Sequence, residues 1–448
     1  MIRPLPILLF VIVTAVNAVG VHAQSGMTFE EFTPKLQPYF AEELISDVKD
    51  AMPQGAEFRV WGWDVGDFTG DGYNDLALSV NILGTRKKEC HVYLFGDIDG
   101  FLVKVGYHRI AFIELPLEVG VVIKELTCYV VQKRKAEDWL MRGYRYVQGN
   151  MVQVDEFISN QVESFAHEGY RNFQSLETRE RYVTKDGRVA FETEYNVIPC
   201  YERGRQVYTG FVSDVVVDQI RQVQEGSYWW KGPDDASFKV RMVYDTDNLY
   251  VRVAVKDSNV VTGWCDTCAA DRMEIWFDVT PPSELGGSRY LSSLSKGKLT
   301  VRSESDSGLY ALAVKIGDFE EIRPSVKVRT TDELTQTQDD ALSQIRVVTA
   351  QRADGYVVKI RIPFALLGYD RAPVVDSKLH EMGCTVALYD VDNEFRPEET
   401  TTLATSAIQA LDPSTYGTTA FVPDGLWYGE TSNLFAEAVF GSLRELGF

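Results

Sequence analysis

The feature that most constrains this chain is the strict alternation of apolar and polar residues through its second half. Phe238, Val240, Met242 and Tyr244 alternate with polar neighbours, and the turn Asp245-Thr246-Asp247-Asn248 follows. Leu249, Val251, Val253 and Val255 then form an apolar face opposite Tyr250, Arg252 and Lys256. Met273, Ile275, Phe277 and Val279 repeat the device with Glu274, Trp276 and Asp278 on the other side. Val358, Ile360 and Ile362 alternate with Lys359 and Arg361, and Val386 and Leu388 with Thr385 and Tyr389. Successive side chains of a strand point to opposite faces, so a period of two gives one buried side and one solvent-facing side. Strands of this kind, joined by turns, bury their apolar faces against one another as a β-sandwich.

The first half opens differently. Phe29, Phe32, Leu36, Tyr39, Phe40, Leu44 and Val48 recur at helical spacing and predict one amphipathic helix over 28–52, ended by Pro53 and Gly55. Beyond it the runs Leu76 to Val80 and His91 to Phe95, then 120–132 and 139–157, read as strands. Lys185-Asp186-Gly187 is the turn of a hairpin between Tyr182-Val183-Thr184 and Arg188-Val189-Ala190-Phe191. A polar stretch over 159–178 is a point at which this half can subdivide, and the cleaner alternation sets in near Phe211. The expected fold is mainly β: a smaller β-rich (α+β) domain with one N-terminal helix over 24–205, then a C-terminal β-sandwich over 206–448.

Ahead of both, Arg3 precedes an apolar run from Leu5 to Val16, and Val21-His22-Ala23 follows. This is the layout of a secretory signal peptide over 1–23. The run is interrupted at Asn17, short of the roughly 20 apolar residues a spanning helix needs. The expected mature protein is secreted or periplasmic, with no membrane span after cleavage. Its 65 acidic and 45 basic residues give a net charge of −20, which repels a phosphate backbone and argues against nucleic acid as a partner. The six cysteines, Cys90, Cys128, Cys200, Cys265, Cys268 and Cys384, suit disulfides in an oxidising compartment, with Cys90 and Cys128 the expected pair because both fall in one half. Cys265 and Cys268 form a C-x-x-C that can close a tight loop or bind metal, without the second ligand pair that a zinc site needs.

Asp67-Phe68-Thr69-Gly70-Asp71-Gly72-Tyr73-Asn74-Asp75 sets oxygen side chains at the first, third, fifth and ninth positions of a tight loop. Calcium takes six to eight oxygen ligands, and alternate positions of such a loop converge on one point. Asp67, Thr69, Asp71, the Tyr73 carbonyl and Asp75 are the candidate ligands. Leu78 stands where an EF-hand would carry Glu. The loop resembles that of FG-GAP or VCBS-type β-propeller blades, over about Trp61 to Val105 and only once. One blade cannot close a propeller, so the resemblance implies a structural calcium in a smaller β domain.

From Phe211 onward the chain sets in order Pro233-Asp234-Asp235-Ala236-Ser237-Phe238, Tyr244 to Val251, Val255-Lys256-Asp257, Asp271 to Asp278, Tyr356 to Ile362 with Pro363-Phe364, and Tyr389-Asp390-Val391-Asp392. The order of these blocks resembles the family 9 carbohydrate-binding module and its DOMON-like relatives. The resemblance implies a jelly-roll sandwich that grips a polysaccharide or oligosaccharide between two tryptophans, with carboxylates holding the hydroxyls. Trp264 stands where one tryptophan is expected, and Asp271 and Glu274 match the acidic strand residues. The second tryptophan has no clear match, with Trp229, Trp230 and Trp427 as candidates and Trp230 retained as the ligand-binding one. Sugar C–H faces stack on aromatic rings, and charged acceptors make the stronger hydrogen bonds to hydroxyls.

No G-x-S-x-G, H-E-x-x-H, P-loop or dinucleotide fingerprint occurs. The expected function is a secreted, non-catalytic carbohydrate-binding protein with a calcium-stabilised N-terminal domain. The alternatives are a cell-envelope scaffold that docks other envelope proteins, or the non-catalytic end of a carbohydrate-active enzyme, whose chemistry would be that of a glycoside hydrolase.

Overall fold

Among the described residues two helices, not one, precede the first strand: α1 (Phe29–Leu36) and α2 (Glu42–Ala51). Pro38 is the reason: it has no N–H to continue the helical ladder, although Gln37 before it keeps helical φ −54° and ψ −29°. Thr28 caps α1 through a capping box with Glu31, and Ala41 starts α2 in an extended conformation. The computed structural model describes residues 26–428 apart from 54, 85–87, 113–117, 136–137, 206–210, 263–268, 281–289, 296–297, 303–307, 375–378, 408–411 and 425. The segment 1–23 read as a signal peptide, and Trp264, Cys265 and Cys268, lie outside the described residues. The chain divides into two compact units, Met1–Asn160 and Gln161–Phe448.

The first unit adds β1 (Phe58–Gly66), β2 (Asp75–Ile82), β3 (Lys88–Ile98), β4 (Phe101–Phe112), β5 (Glu118–Lys124), β6 (Thr127–Lys135), β7 (Asp138–Val147) and β8 (Asn150–Val162), whose end crosses the division. The stretch 120–132 expected as one strand is thus the hairpin β5–β6, turned at Glu125 and Leu126, both with positive φ. β1 to β4 form an antiparallel sheet in chain order. One face buries Leu76, Leu78 and Val80 under Phe32, Leu36, Ile45 and Val48 of the helices. The other packs Ala77, Val92 and Leu94 on Val119, Val121, Cys128 and Val130 of β5 and β6. β2 is therefore apolar on both faces rather than alternating. The expected Cys90–Cys128 disulfide is not formed: both are buried thiols, packed as small hydrophobes in that same cluster.

The second unit is built on β9 (Phe165–Asn172), β10 (Glu177–Thr184), β11 (Val189–Glu202), β12 (Val215–Val217), β13 (Val223–Glu225), β14 (Ala236–Tyr244), β15 (Asn248–Asp257) and β16 (Arg272–Asp278). It continues through β17 (Leu291–Ser295), β18 (Lys298–Val301), β19 (Leu309–Lys315), β20 (Ser325–Thr330), the helix α3 (Gln336–Leu342), β21 (Arg346–Arg352) and β22 (Gly355–Pro363). The last strands are β23 (His380–Val391), β24 (Thr400–Ala404) and β25 (Thr418–Phe421). The predicted hairpin is present as β10–β11, with Tyr182 opposite Phe191, and the polar stretch near 159–178 contributes β9 to the same ribbon.

One sandwich sheet runs β21–β22–β15–β14–β12. The other runs β20–β19–β16–β23–β24–β13. β11 joins them, pairing in parallel with β14 through Cys200–Glu202 and with β25 through Val197–Cys200. The alternating residues meet between the sheets: Val240, Met242, Val251, Val253, Val358 and Ile360 from one, Met273, Ile275, Phe277, Val386 and Leu388 from the other. Each such side chain contributes roughly 1.5–3 kcal/mol by leaving water. The chain is mainly β, with a β-sandwich in its C-terminal half.

Candidate functional site

The face of the second sheet turned away from the core is where pattern and burial part company. β16 is buried on both sides, and Trp276 is fully enclosed with Leu309, Ala311 and Tyr416 in a small cluster of its own. Register explains what lies beside it. Across the sheet, Lys315, Arg272, Tyr389, Thr402 and Glu225 stand in one lateral row. The next row is Ala313, Glu274, Ala387 and Ala404. Small residues flank Glu274, so the floor is low there and the larger side chains of the first row stand up as a wall.

Glu274 is 9% exposed and gathers the polar contacts of this face. Trp276 donates its indole N–H to Glu274 Oε2 at 3.0 Å, Tyr389 its hydroxyl at 3.5 Å, and Arg329 lies 3.9 Å away. The Arg272 guanidinium carbon sits over the Tyr389 ring, 4.0 Å from its centroid. Burial, and then the Glu274 charge, push the Tyr389 phenol up to about 12, so it stays a donor. A cleft of about 640 Å³ opens above, lined by Glu225, Arg272, Tyr389, Phe395, Thr400 and Thr402 among others. Phe395 is 84% exposed at its edge. Size and lining, an aromatic wall with a few convergent polar groups, are those of a small-molecule site.

At the same end of the sandwich the core closes on a polar plug. Asp257 ends β15, Asp271 precedes β16 and Asp390 lies near the end of β23, and each offers an oxygen within 4.8 Å of the others. All three are buried. Asp271 accepts backbone N–H groups from Val261 and Val391, both at 2.9 Å, and Asp257 accepts one from Asn259 at 2.7 Å. Asp257 Oδ2 and the hydroxyl of the fully buried Tyr356 have no hydrogen-bond partner. Burial first, and then the neighbouring carboxylates, push Asp271 well above the usual carboxylate range and Asp390 up to about 8; burial also raises Asp257. Such a group of hard oxygens holds either protons or a divalent cation. The orphaned Asp257 Oδ2 fits the cation.

The residues singled out in the sequence are thus dispersed. Glu274 stands beside the cleft and accepts the hydroxyl of the cleft-lining Tyr389, whereas Asp271 turns its carboxyl into the plug. Trp230 lies partly buried against the core, its indole N–H held by the Ala236 carbonyl at 2.8 Å. In the first unit, Asp67 accepts the N–H groups of Gly70 (2.6 Å) and Gly72 (2.9 Å), and Asp71 that of Tyr73 (2.8 Å). Asp75, fully buried, takes those of Phe68, Thr69 and Asp97 and the Thr69 hydroxyl. The Tyr73 side chain is exposed. Arg272, Tyr389, Glu225 and Phe395 were not singled out. Arg272 could have been found as the residue two before Glu274 on the same strand face, but Glu225 and Thr402 reach that row only through pairing.

Residues 210–423 match the protein family described as "Carbohydrate family 9 binding domain-like". Among curated proteins nothing matches the chain. Solved structures to which it is similar include a family 9 carbohydrate-binding module from Caldicellulosiruptor kristjanssonii in complex with cellotriose, at 17% identity over 51% of this chain and 96% of that one, with a TM-score of 0.31. The family 9 module of that organism in complex with glucose gives 18% identity, 51% and 98% coverage, and a TM-score of 0.31.

Proposed function

We propose, taking the family 9-like domain over residues 210–423 as the premise, that this is an exported protein that binds a polysaccharide or oligosaccharide without cleaving it. The observation that carries the reading is the cleft on that domain, where Glu225, Arg272, Thr400 and Thr402 offer polar groups beside Tyr389 and Phe395, with Glu274 hydrogen-bonded to the Tyr389 hydroxyl. The aromatic faces suit the C–H faces of a sugar ring, and a buried carboxylate suits its hydroxyls. Trp264, five residues before the cleft-lining Ala269, is proposed as a further contact. DOMON-like kinship and a secreted or periplasmic location belong to the same reading.

Structural calcium is part of it. Asp257, Asp271 and Asp390 are the favoured seat, on the strength of the orphaned Asp257 Oδ2 and Tyr356 hydroxyl. The FG-GAP/VCBS-type loop at Asp67, Thr69, Asp71, Tyr73 and Asp75 is the second seat, although its carboxylates already serve its own backbone.

The test is a glycan array followed by titration calorimetry on the full mature chain, with Tyr389→Ala beside it. Binding in the micromolar to millimolar range that the variant loses supports the cleft. Silence across plant, microbial and host glycans overturns the reading in favour of an envelope scaffold.

A further inference from the structure

Arg272 sits half-buried in the wall of the cleft, and its guanidinium has no hydrogen bond or ion pair with any described residue; its contact is the face of Tyr389. Other arginines of this unit with comparable or greater burial are engaged. Arg302 meets Asp278 at 2.6 Å, Arg171 meets Glu381 at 3.4 Å, and Arg361 donates to the Gln344 carbonyl at 3.1 Å. Five N–H donors with no acceptor among the described residues, in a chain carrying −20 overall, are an arrangement that a bound acceptor completes. The contact with the Tyr389 ring holds the guanidinium in place, and its planar fork of donors matches a carboxylate in bidentate fashion. The carboxylates of Glu225 and Glu394 also line the cleft, so a densely charged polyanion is repelled there while one carboxylate among hydroxyls is accommodated.

We infer that the cleft takes a saccharide bearing an isolated uronic acid, with the sugar carboxylate held by Arg272 and the ring placed against Tyr389 and Phe395. This rests on the carbohydrate-binding reading and narrows its ligand class. Thr400 and Thr402, in the same lining, face the remaining hydroxyls. Their strand β24 pairs with β23 next to Tyr389, so the hydroxyl contacts and the carboxylate contact lie side by side on one sheet face.

The experiment titrates the full mature protein with a glucuronic-acid-containing disaccharide and with the same disaccharide after reduction of its carboxyl to the alcohol. The acid form is expected to bind at least tenfold more tightly at 50 mM salt, with the advantage shrinking at 500 mM. Arg272→Gln is expected to erase that difference between the two sugars. Arg272→Lys, which keeps the charge but loses the fork, is expected to retain only part of it, and circular dichroism melts confirm that each variant is folded. Equal affinity for the two sugars, or a preference that survives Arg272→Gln, overturns the inference and leaves the carbohydrate reading standing. Failure of both sugars, together with silence on the array, removes both.

Discussion

Replacing Asp390 by asparagine should stabilise the cation-free protein and destroy its response to calcium. The carboxylate oxygens of Asp257, Asp271 and Asp390 lie within 4.8 Å of one another. Two full charges at that separation repel by about 3.5 kcal/mol at the effective dielectric that suits protein sites. Without a cation the plug relieves this by holding protons, which is why burial and its neighbours carry Asp390 up to about 8. A folded-state value above the unfolded one means that the native state binds the extra proton. The stabilising contribution is therefore complete below the unfolded carboxylate value of about 4 and is lost as the pH rises through about 8. In chelator, the melting temperature should fall between pH 5 and pH 9. Calcium at a hundredfold over its Kd should add about 2.7 kcal/mol, or roughly 5–10 °C, and flatten the profile because the cation replaces the protons. Asp390→Asn should melt higher than the parent at pH 9 in chelator and gain far less from calcium. Differential scanning calorimetry at four pH values, with chelator or calcium, reads all of this. A flat profile in chelator, or an Asp390→Asn variant that keeps the full calcium increment, refutes the reasoning.

Other expectations follow from single contacts. Arg302→Ala leaves the fully buried Asp278 charge unpaired and should cost about 3–5 kcal/mol in urea unfolding, whereas a loss under 1 kcal/mol would show that water reaches the pair. Gly226→Ala forces a side chain onto a backbone with φ +70° and a Cβ 2.0 Å from the Thr400 carbonyl; strain alone costs about 1–3 kcal/mol. Because Glu225 pairs with Thr402 next to it, sugar affinity should fall with stability, and calorimetry on the folded fraction separates the two. In the first unit, burial, and then the charge of Arg142, hold His108 down to about 4. Its contribution is present above pH 6.5 and is lost as the pH falls toward 4, roughly 3 kcal/mol in all. A His108→Phe variant should show a shallower acid limb in thermal melts.

The sequence by itself determined the β architecture of the second unit. Val251, Val253 and Val255 can only satisfy a period of two by facing a second sheet, and they do face Met273, Ile275 and Phe277. It determined less where both faces of a strand are covered. Trp276 alternates as an outward residue yet is fully enclosed by Tyr416, Leu309 and Ala311, and nothing local to β16 announces residues from the far end of the chain. It misled at the first helix because apolar spacing outweighed Pro38, a local signal that was present.

The site was legible only where its residues lie along one strand. Glu274 and Arg272 share a face by simple alternation, whereas Glu225, Tyr389 and Thr402 come from three other strands and meet by lateral register. In sequence Asp271 reads as a ligand-binding strand carboxylate and Asp257 and Asp390 as members of separate motif blocks, and nothing there joins the three. What makes them one group is that β15, β16 and β23 bring their ends to the same edge of the sandwich, where three charges must share a single pocket out of water. Alternation is written residue by residue and can be read that way. Register and strand order are decided by which faces the whole chain manages to bury together, and only the folded structure holds that information.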